Sequence, residues 1–218
     1  MFSNIGRSSV KLTPLFTRQD AEVVQHEVLY QGFFRLDRLH LRHRTFAGDW
    51  TPVFTRELFE RGEAVCVLLY DPARDCVVLT EQFRPGALND ERSPWLLELV
   101  AGMAEPGEQY EQVARREALE EAGCVVEQLL PICHYWVSPG GTSERVHLYC
   151  ALIDSRPLGG LHGLADEHED IRLVTLSFAD AWQALEQGII NNAATIMALQ
   201  WLKIQHHRLQ THNTPETP

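Results

Sequence analysis

The sequence predicts an α/β fold, a large domain of mixed strands and helices preceded by a small antiparallel sheet. Three observations carry this. Apolar runs of strand length, bounded by Gly, Pro and Asp, recur between residues 21 and 177. Residues 109–122 are rich in good helix formers and hold no Gly or Pro. Two further helical patterns close the chain.

Residues 1–20 carry no regular pattern and read as an N-terminal arm. Residues 21–60 hold three strand-like runs, AEVVQHEVLYQ, GFFRLDRLHLRHRTF and WTPVFTRELF. The middle run interleaves Phe34, Leu36, Leu39 and Leu41 with Arg and His, and Gly48-Asp49 marks a turn. Three strands alone bury little, so this sheet needs a larger domain or a second subunit to pack on. The main domain is expected over residues 61–208. AVCVLLY and CVVLTEQFR are strands joined at an Asp71-Pro72 turn, and WLLELVAG is one strand delivering Ala101 and Gly102. VVEQLLPICHYWV, VHLYCALI and IRLVTLSF are further strands, separated by SPGGTSE and by the Gly-rich acidic loop LGGLHGLADEHED. Ser177 with Asp180 resembles a capping box, and Gly188 ends the helix it opens. Phe178, Ala181, Trp182 and Leu185 form its apolar face. A last helix follows Asn191-Asn192, with Ile196, Leu199, Trp201 and Leu202 apolar, and residues 209–218 read as a flexible tail.

The composition, 44% apolar and 22% charged over 218 residues, is that of a soluble globular protein long enough to bury a core. A net charge of −11 disfavours nucleic acid and anionic membrane as partners. It also means that an anionic substrate needs local help from Arg, Lys or metal. Five Cys without a CxxC pair point to reduced thiols, no apolar run approaches the ~20 residues of a membrane span, and the start has no secretory pattern. A cytoplasmic location is expected.

Residues 102–124 read GMAEPGEQYEQVARREALEEAGC. On a helix, Glu117 lies i,i+3 from Glu120 and i,i+4 from Glu121, so the three carboxylates share a face and Leu119 points the other way, toward packing. Clustered carboxylates repel, and a hard dication bound through oxygen removes that cost. Gly102, Glu108, Arg116, Glu117, Glu120, Glu121 and Gly123 match every fixed position of G-x5-E-x7-R-E-U-x-E-E-x-G-U. Seven specified residues arise by chance roughly once in 10⁸ to 10⁹ starts, which sets a solvated acidic face aside. This pattern resembles the Nudix box, and the chain is similar to Nudix hydrolases. The resemblance implies a Nudix α/β/α sandwich with a mixed sheet. Pro139, fifteen residues beyond Cys124, with GLADEHEDIR, INNAATIMALQWL, LYQGFFRLD and RELFERG, resembles the bacterial ADP-ribose pyrophosphatase branch.

That branch implies hydrolysis of ADP-ribose to AMP and ribose 5-phosphate with Mg²⁺, or Mn²⁺ in its place, by a homodimer whose residues 21–60 reach across to the partner. Its metal ligands map onto Glu117, Glu121, Glu169 and the carbonyl of Ala101. Glu120 acts from behind them, and Glu108 with Arg116 forms a structural pair. The general base maps onto Glu167, with Glu169 its rival on the same loop and His168 a weaker alternative. Arg84, Arg56 and Arg61 match arginines that grip the substrate. Phe33, next to Phe34, stacks adenine against Arg56, with one side supplied by the partner chain, and Glu57 adds a polar contact. Met103, Ser138, Pro139 and Gly140 wall the ribose side, and Glu144 meets the terminal ribose hydroxyls. Core packing for Phe33 and a surface place for any single Arg are the plainer readings of those residues alone. SPGG lacks the Gly-Lys-Ser/Thr of a P-loop. The alternatives are a pyrophosphatase for GDP-mannose, ADP-mannose or ADP-glucose, and a ligand-sensing module without catalysis.

Overall fold

The structure is a computed structural model that describes residues 12–164 and 168–211. It divides into two compact units, Met1–Arg61 with Gly140–Thr142, and Gly62–Pro139 with Ser143–Pro218.

The first unit is an antiparallel sheet of β1 (Ala21–Gln31), β2 (Arg35–His43) and β3 (Phe54–Glu60), with β2 in the middle. Thr17 and Asp20 form a capping box around the 3-10 turn that feeds β1. In β1 to β3 the one fully buried residue is Asp37, a carboxylate that takes Arg35 and His26 at 2.9 Å each. Val23, Val24, Val28, Leu29 and Tyr30 are all exposed along β1. The sheet thus has almost no apolar core of its own. The Phe59 amide donates to the Gly141 carbonyl at 2.8 Å, and Thr142 Oγ1 donates to the Phe59 carbonyl at 3.0 Å, which ties 140–142 to this unit.

The second unit is built on β4 (Glu63–Asp71), β5 (Cys76–Phe83), β6 (Trp95–Glu98), β7 (Val100–Ala104), α1 (Tyr110–Ala122), β8 (Gln128–Trp136) and β9 (Arg145–Leu152). It is completed by β10 (Leu161–His162), β11 (Ile171–Ser177), α2 (Phe178–Glu186) and α3 (Ala193–Thr211). The sheet runs β10-β11-β5-β4-β9-β8, parallel only between β4 and β9. β4 is the central strand, and its near-continuous apolar run follows from cover on both faces. Val65, Val67 and Leu69 pack with Val113, Ala114 and Ala118 of α1, whereas Cys66, Leu68 and Tyr70 pack with Phe178, Leu199 and Leu202 of α2 and α3. This is the α/β/α sandwich with a mixed sheet.

Residues 95–102 are not one strand. The run breaks at Leu99 into β6, which pairs with β5, and β7, which pairs with β4. The cause is a fork: β4 and β5 pair only from Leu69 to Asp71 against Cys76 to Val78 and then part. Each arm of the fork still needs a partner for its backbone N–H and C=O groups, and the incoming chain supplies one to each in turn. α3 also runs past residue 208 to Thr211, with Leu209 buried. Ser177 accepts the Asp180 amide at 3.0 Å, as its capping pattern predicts.

Asp71, 1% exposed, closes β4. It accepts the Ser155 amide at 2.9 Å, the Ser155 hydroxyl at 2.7 Å, and the amides of Ala73 and Arg74 at 3.0 and 3.1 Å. Burial alone would raise its pKa, but the bonds from Ser155, Arg74 and Ala73 outweigh it and hold the carboxyl below its ordinary 3.8. A depressed carboxyl stabilises the fold above its ordinary pKa and ceases to do so as pH falls through the folded value. Asp71→Asn should therefore lower unfolding free energy by about 1–3 kcal/mol at pH 7 in a urea titration, with the difference shrinking below about pH 4.

Candidate active site

The site forms where α1 lies against β7, inside the fork of β4 and β5. Gly102 pairs with Val65 of β4, and a side chain here would overlap the Glu117 carboxylate. Its φ is not in the left-handed region. Close approach, not turn geometry, is what requires glycine. One turn further along α1, Glu121 reaches back to accept the Ala101 amide at 3.0 Å. The helix ends on Gly123, in the left-handed conformation, with Gly123 and Cys124 amides returning to Leu119 and Ala118. Its start is held by Tyr110, whose hydroxyl donates to Glu63. Glu63 also receives Arg145 at 2.7 Å and lies 3.0 Å from His147.

Which face of α1 is buried corrects one expectation. Leu119 does not pack; it is 54% exposed. The buried face is Val113, Ala114, Glu117, Ala118, Glu121 and Ala122, so the carboxylates lie within the packing surface. Glu117 is 9% and Glu121 4% exposed, whereas Glu120 is open to solvent. Arg116 gathers the rim: its guanidinium is 2.6 Å from Glu117, 3.4 Å from Glu120 and 3.5 Å from Glu108, and it donates to the Met103 carbonyl at 3.4 Å.

These surroundings shift both inner carboxyls upward. Burial raises Glu117; Arg116 opposes this, and the charges of Glu120 and Glu169 add to it. Burial pushes Glu121 to about 8, against the pull of the Ala101 amide, and the charges of Glu117 and Glu169 push the same way. Glu169 is thus felt at the helix from across the site. Its amide bonds the Leu164 carbonyl at 3.2 Å, and its carboxylate accepts the Leu164 amide at 3.4 Å. Gly163, at φ +100°, packs so closely that a Cβ would stand 2.8 Å from the Glu169 carbonyl oxygen. His168 is exposed, and Glu167 lies outside the described residues.

Among the described residues, no three His, Cys, Asp or Glu side chains are gathered tightly enough to hold an ion as they stand. The donor chemistry nevertheless fits a hard dication. Two carboxylates sit in low dielectric, each disfavoured as an anion by burial and by neighbouring carboxylates, Glu120 and Glu169 for Glu117 and Glu117 and Glu169 for Glu121, which bound positive charge would relieve.

The remaining expected residues divide between the units. In the second, Arg84 directly follows β5 and its Nε donates to Glu98 at 2.7 Å; both line a recess of about 520 Å³ with Asn89, Asp90 and Asn191. Glu144 precedes β9, its backbone oxygen bonding the Val137 amide, and its charge reaches Cys66 and Tyr135. Met103, Ser138 and Pro139 are exposed. In the first unit, Phe33 is 87% exposed in the β1–β2 turn, edge-on to Phe34 at 4.8 Å. Arg61 stacks over Phe34 at 4.6 Å. Arg56 pairs with Leu39 across the sheet and lies over Phe54, whereas Phe33 meets Phe34, so the expected Phe33–Arg56 stack is not among the ring contacts of the described residues. Glu57 is exposed, 3.7 Å from Arg38, and Gly140 belongs to this unit. Sequence reasoning passed over Glu98 and Glu63. The available signal for Glu98 was a lone carboxylate inside the apolar run 95–101.

The NUDIX domain family matches residues 60–199. The ADP-ribose pyrophosphatase of Escherichia coli (strain K12) is 49% identical over 195 residues, 89% of this chain and 93% of that protein. The GDP-mannose pyrophosphatase of Pectobacterium atrosepticum is 38% identical over 146 residues, 66% of this chain and 75% of that protein. A solved structure described as an ADP compounds hydrolase superposes with a TM-score of 0.63 at 22% identity, covering 87% of this chain and 98% of that one, and supports the fold. The chain belongs to the NUDIX domain family and is a hydrolase.

Two outcomes follow from the site's geometry. Gly102→Ala should leave the far-ultraviolet circular dichroism unchanged, because the three atoms nearest the added Cβ all belong to the Glu117 side chain and not to backbone. The displacement should still lower kcat/KM for the hydrolysed substrate by about 10²-fold. Glu121→Gln should stabilise the protein in chelator. A carboxyl whose folded pKa is raised from 4.5 to about 8 favours the fold below pH 4.5, and that advantage is lost as pH rises through 8. Glutamine retains an acceptor for the Ala101 amide and carries no charge. Its thermal midpoint should exceed wild type by roughly 4 °C or more at pH 9 and match it near pH 4, and equal midpoints at pH 9 would refute the buried-charge penalty.

Proposed function

We propose that this NUDIX hydrolase cleaves the diphosphate of ADP-ribose with Mg²⁺, one water adding across the P–O–P bridge to give AMP and ribose 5-phosphate. The observation that carries the reading is the pair of buried carboxylates, Glu117 and Glu121, set against the Ala101–Gly102 backbone within a complete box. The likeness to the E. coli ADP-ribose pyrophosphatase over most of both chains supports the choice of substrate.

Glu117, Glu121, Glu169 and the Ala101 carbonyl would hold the dication. When bound, it supplies charge neutralisation at the phosphates and acidifies water at neutral pH. The chain's own groups do the rest. Arg84 offers a planar guanidinium to phosphate oxygens. Arg116 keeps Glu117 and Glu120 apart in charge and orients the rim. Glu167 takes the proton from the attacking water in this reading, with Glu169 its rival. Glu144 is assigned to the terminal ribose hydroxyls, and Phe33 with Arg56 to the adenine. Assembly as a homodimer through residues 21–60 belongs to the same proposal. So does a cytoplasmic location.

The test is product analysis with ADP-ribose and GDP-mannose, each with and without Mg²⁺. AMP and ribose 5-phosphate should form only with metal and fastest from ADP-ribose. Glu117→Gln and Glu121→Gln should each reduce turnover by about 10²-fold or more. A preference for GDP-mannose would transfer the chemistry to that sugar nucleotide. Metal-independent turnover would remove the carboxylates from their role.

A further inference from the structure

We propose that Glu98 is a positioning residue, one that fixes Arg84 with its terminal guanidinium edge turned to the diphosphate of the substrate. This rests on the reading of Arg84 as a phosphate-binding arginine.

The geometry begins with which nitrogen is used. Glu98 Oε2 accepts from Nε of Arg84 at 2.7 Å. Among the described residues, Nη1 and Nη2 make no hydrogen bond of their own. An arginine has two hydrogen-bonding edges that match an oxyanion, one using Nε and one Nη, the other using both Nη. With Nε committed, the Nη1–Nη2 edge is the one left, and that edge binds phosphate in two-point fashion. Arg84 and Glu98 both line the open recess with Asn89, Asp90 and Asn191, so there is space for a ligand group beside them. The charge of Arg84 is felt at Glu121, which places it in the same electrostatic neighbourhood as the buried carboxylates.

Glu98 is itself well anchored. It ends β6, opposite Thr80 of β5, and the Thr80 hydroxyl reaches its carbonyl at 3.4 Å. Its carboxylate is mostly covered, whereas the Arg84 side chain is 41% exposed. A covered, strand-borne carboxylate restrains a long exposed side chain whose rotamer freedom would otherwise be lost only on binding. Three residues beyond Glu98 stands Ala101, so one short piece of chain carries both the restraint on Arg84 and the backbone that Glu121 caps.

A carboxylate beside Arg84 has a second effect, which opposes the first: it cancels part of the positive charge that a phosphate seeks. The two effects predict opposite signs, and this makes the proposal testable. Glu98→Ala removes both the restraint and the negative charge. Glu98→Gln removes the charge but keeps an oxygen that can accept the Nε proton.

The experiment is steady-state kinetics of full-length wild type, Glu98→Ala, Glu98→Gln, Arg84→Ala and the Glu98→Ala/Arg84→Ala double variant on ADP-ribose with saturating Mg²⁺. Thermal unfolding serves to confirm that each is folded. Positioning predicts that Glu98→Ala raises KM roughly ten-fold while kcat falls at most a few-fold. Glu98→Gln should recover KM to within about three-fold of wild type, and Glu98→Ala should add nothing once Arg84 is gone. A fall in KM in both Glu98 variants would overturn the proposal in favour of charge cancellation. Equal rises in both, or a full additional loss on the Arg84→Ala background, would overturn it in favour of a merely structural carboxylate. Should wild type fail to turn over ADP-ribose, the substrate reading fails separately. The same five proteins are then compared for binding of ADP by calorimetry, where the same pattern in Kd supports positioning and any other pattern rejects it.

Discussion

Two carboxylates held out of water against a backbone are the constraint on which the rest of the second unit depends. Glu117 occupies the space that a side chain at residue 102 would take, and Glu121 closes on the Ala101 amide. Neither is possible unless α1 approaches β7 closely. The inner face of the helix allows this because Ala114, Ala118 and Ala122 stand one turn apart on it. Larger residues there would lift the helix, and the carboxylates would reach water. The two glycines at the ends of the box serve different physics: Gly102 yields volume, and Gly123 yields a left-handed φ that stops the helix. Arg116 is the counterweight, spread over three carboxylates and a carbonyl at the solvent rim.

The fork in the sheet places these parts. Because β4 and β5 pair for only three residues, the chain between Trp95 and Ala104 serves both strands in succession. Its first half faces β5 and brings Glu98 to Arg84; its second half faces β4 and brings Ala101 and Gly102 under the helix. A single break, at Leu99, separates the arginine restraint from the carboxylate cradle. In a chain of net charge −11, such local arrangement of a few cations matters more than the overall field, because screening at about 8 Å in physiological salt leaves short-range contacts to decide where an anion binds.

Much of this was legible in the sequence, and the limits have physical causes. The box is a spacing rule, and spacing on a helix maps directly onto a face, so Glu117 and Glu121 were readable without coordinates. Which side of that face is buried was not. Burial of carboxylates runs against ordinary hydrophobic patterning, and Leu119 was therefore assigned inward when it points out. The break at Leu99 was invisible because WLLELVAG is apolar throughout, and a change of pairing partner leaves no mark on alternation. Glu98 was hidden by the same run. Phe33 is a further case: an aromatic in a strand-like stretch is usually core, yet it stands exposed in a turn.

The two units manage burial in opposite ways. The second has apolar cover on both faces of β4 and can absorb the unfavourable energy of buried carboxylates, since its core removes a large apolar area from water at about 25 cal/mol per Å². The first has no such reserve. Its interior position is taken by Asp37 with Arg35 and His26, and its edge strand exposes valine, leucine and tyrosine. A three-stranded sheet whose one buried residue is a carboxylate gains little from hydrophobic burial, and an unpaired apolar edge is a standing liability in solution. Such a sheet therefore needs apolar surface from elsewhere to be stable, and this is the physical basis for proposing that residues 21–60 are where a second copy of the chain is met.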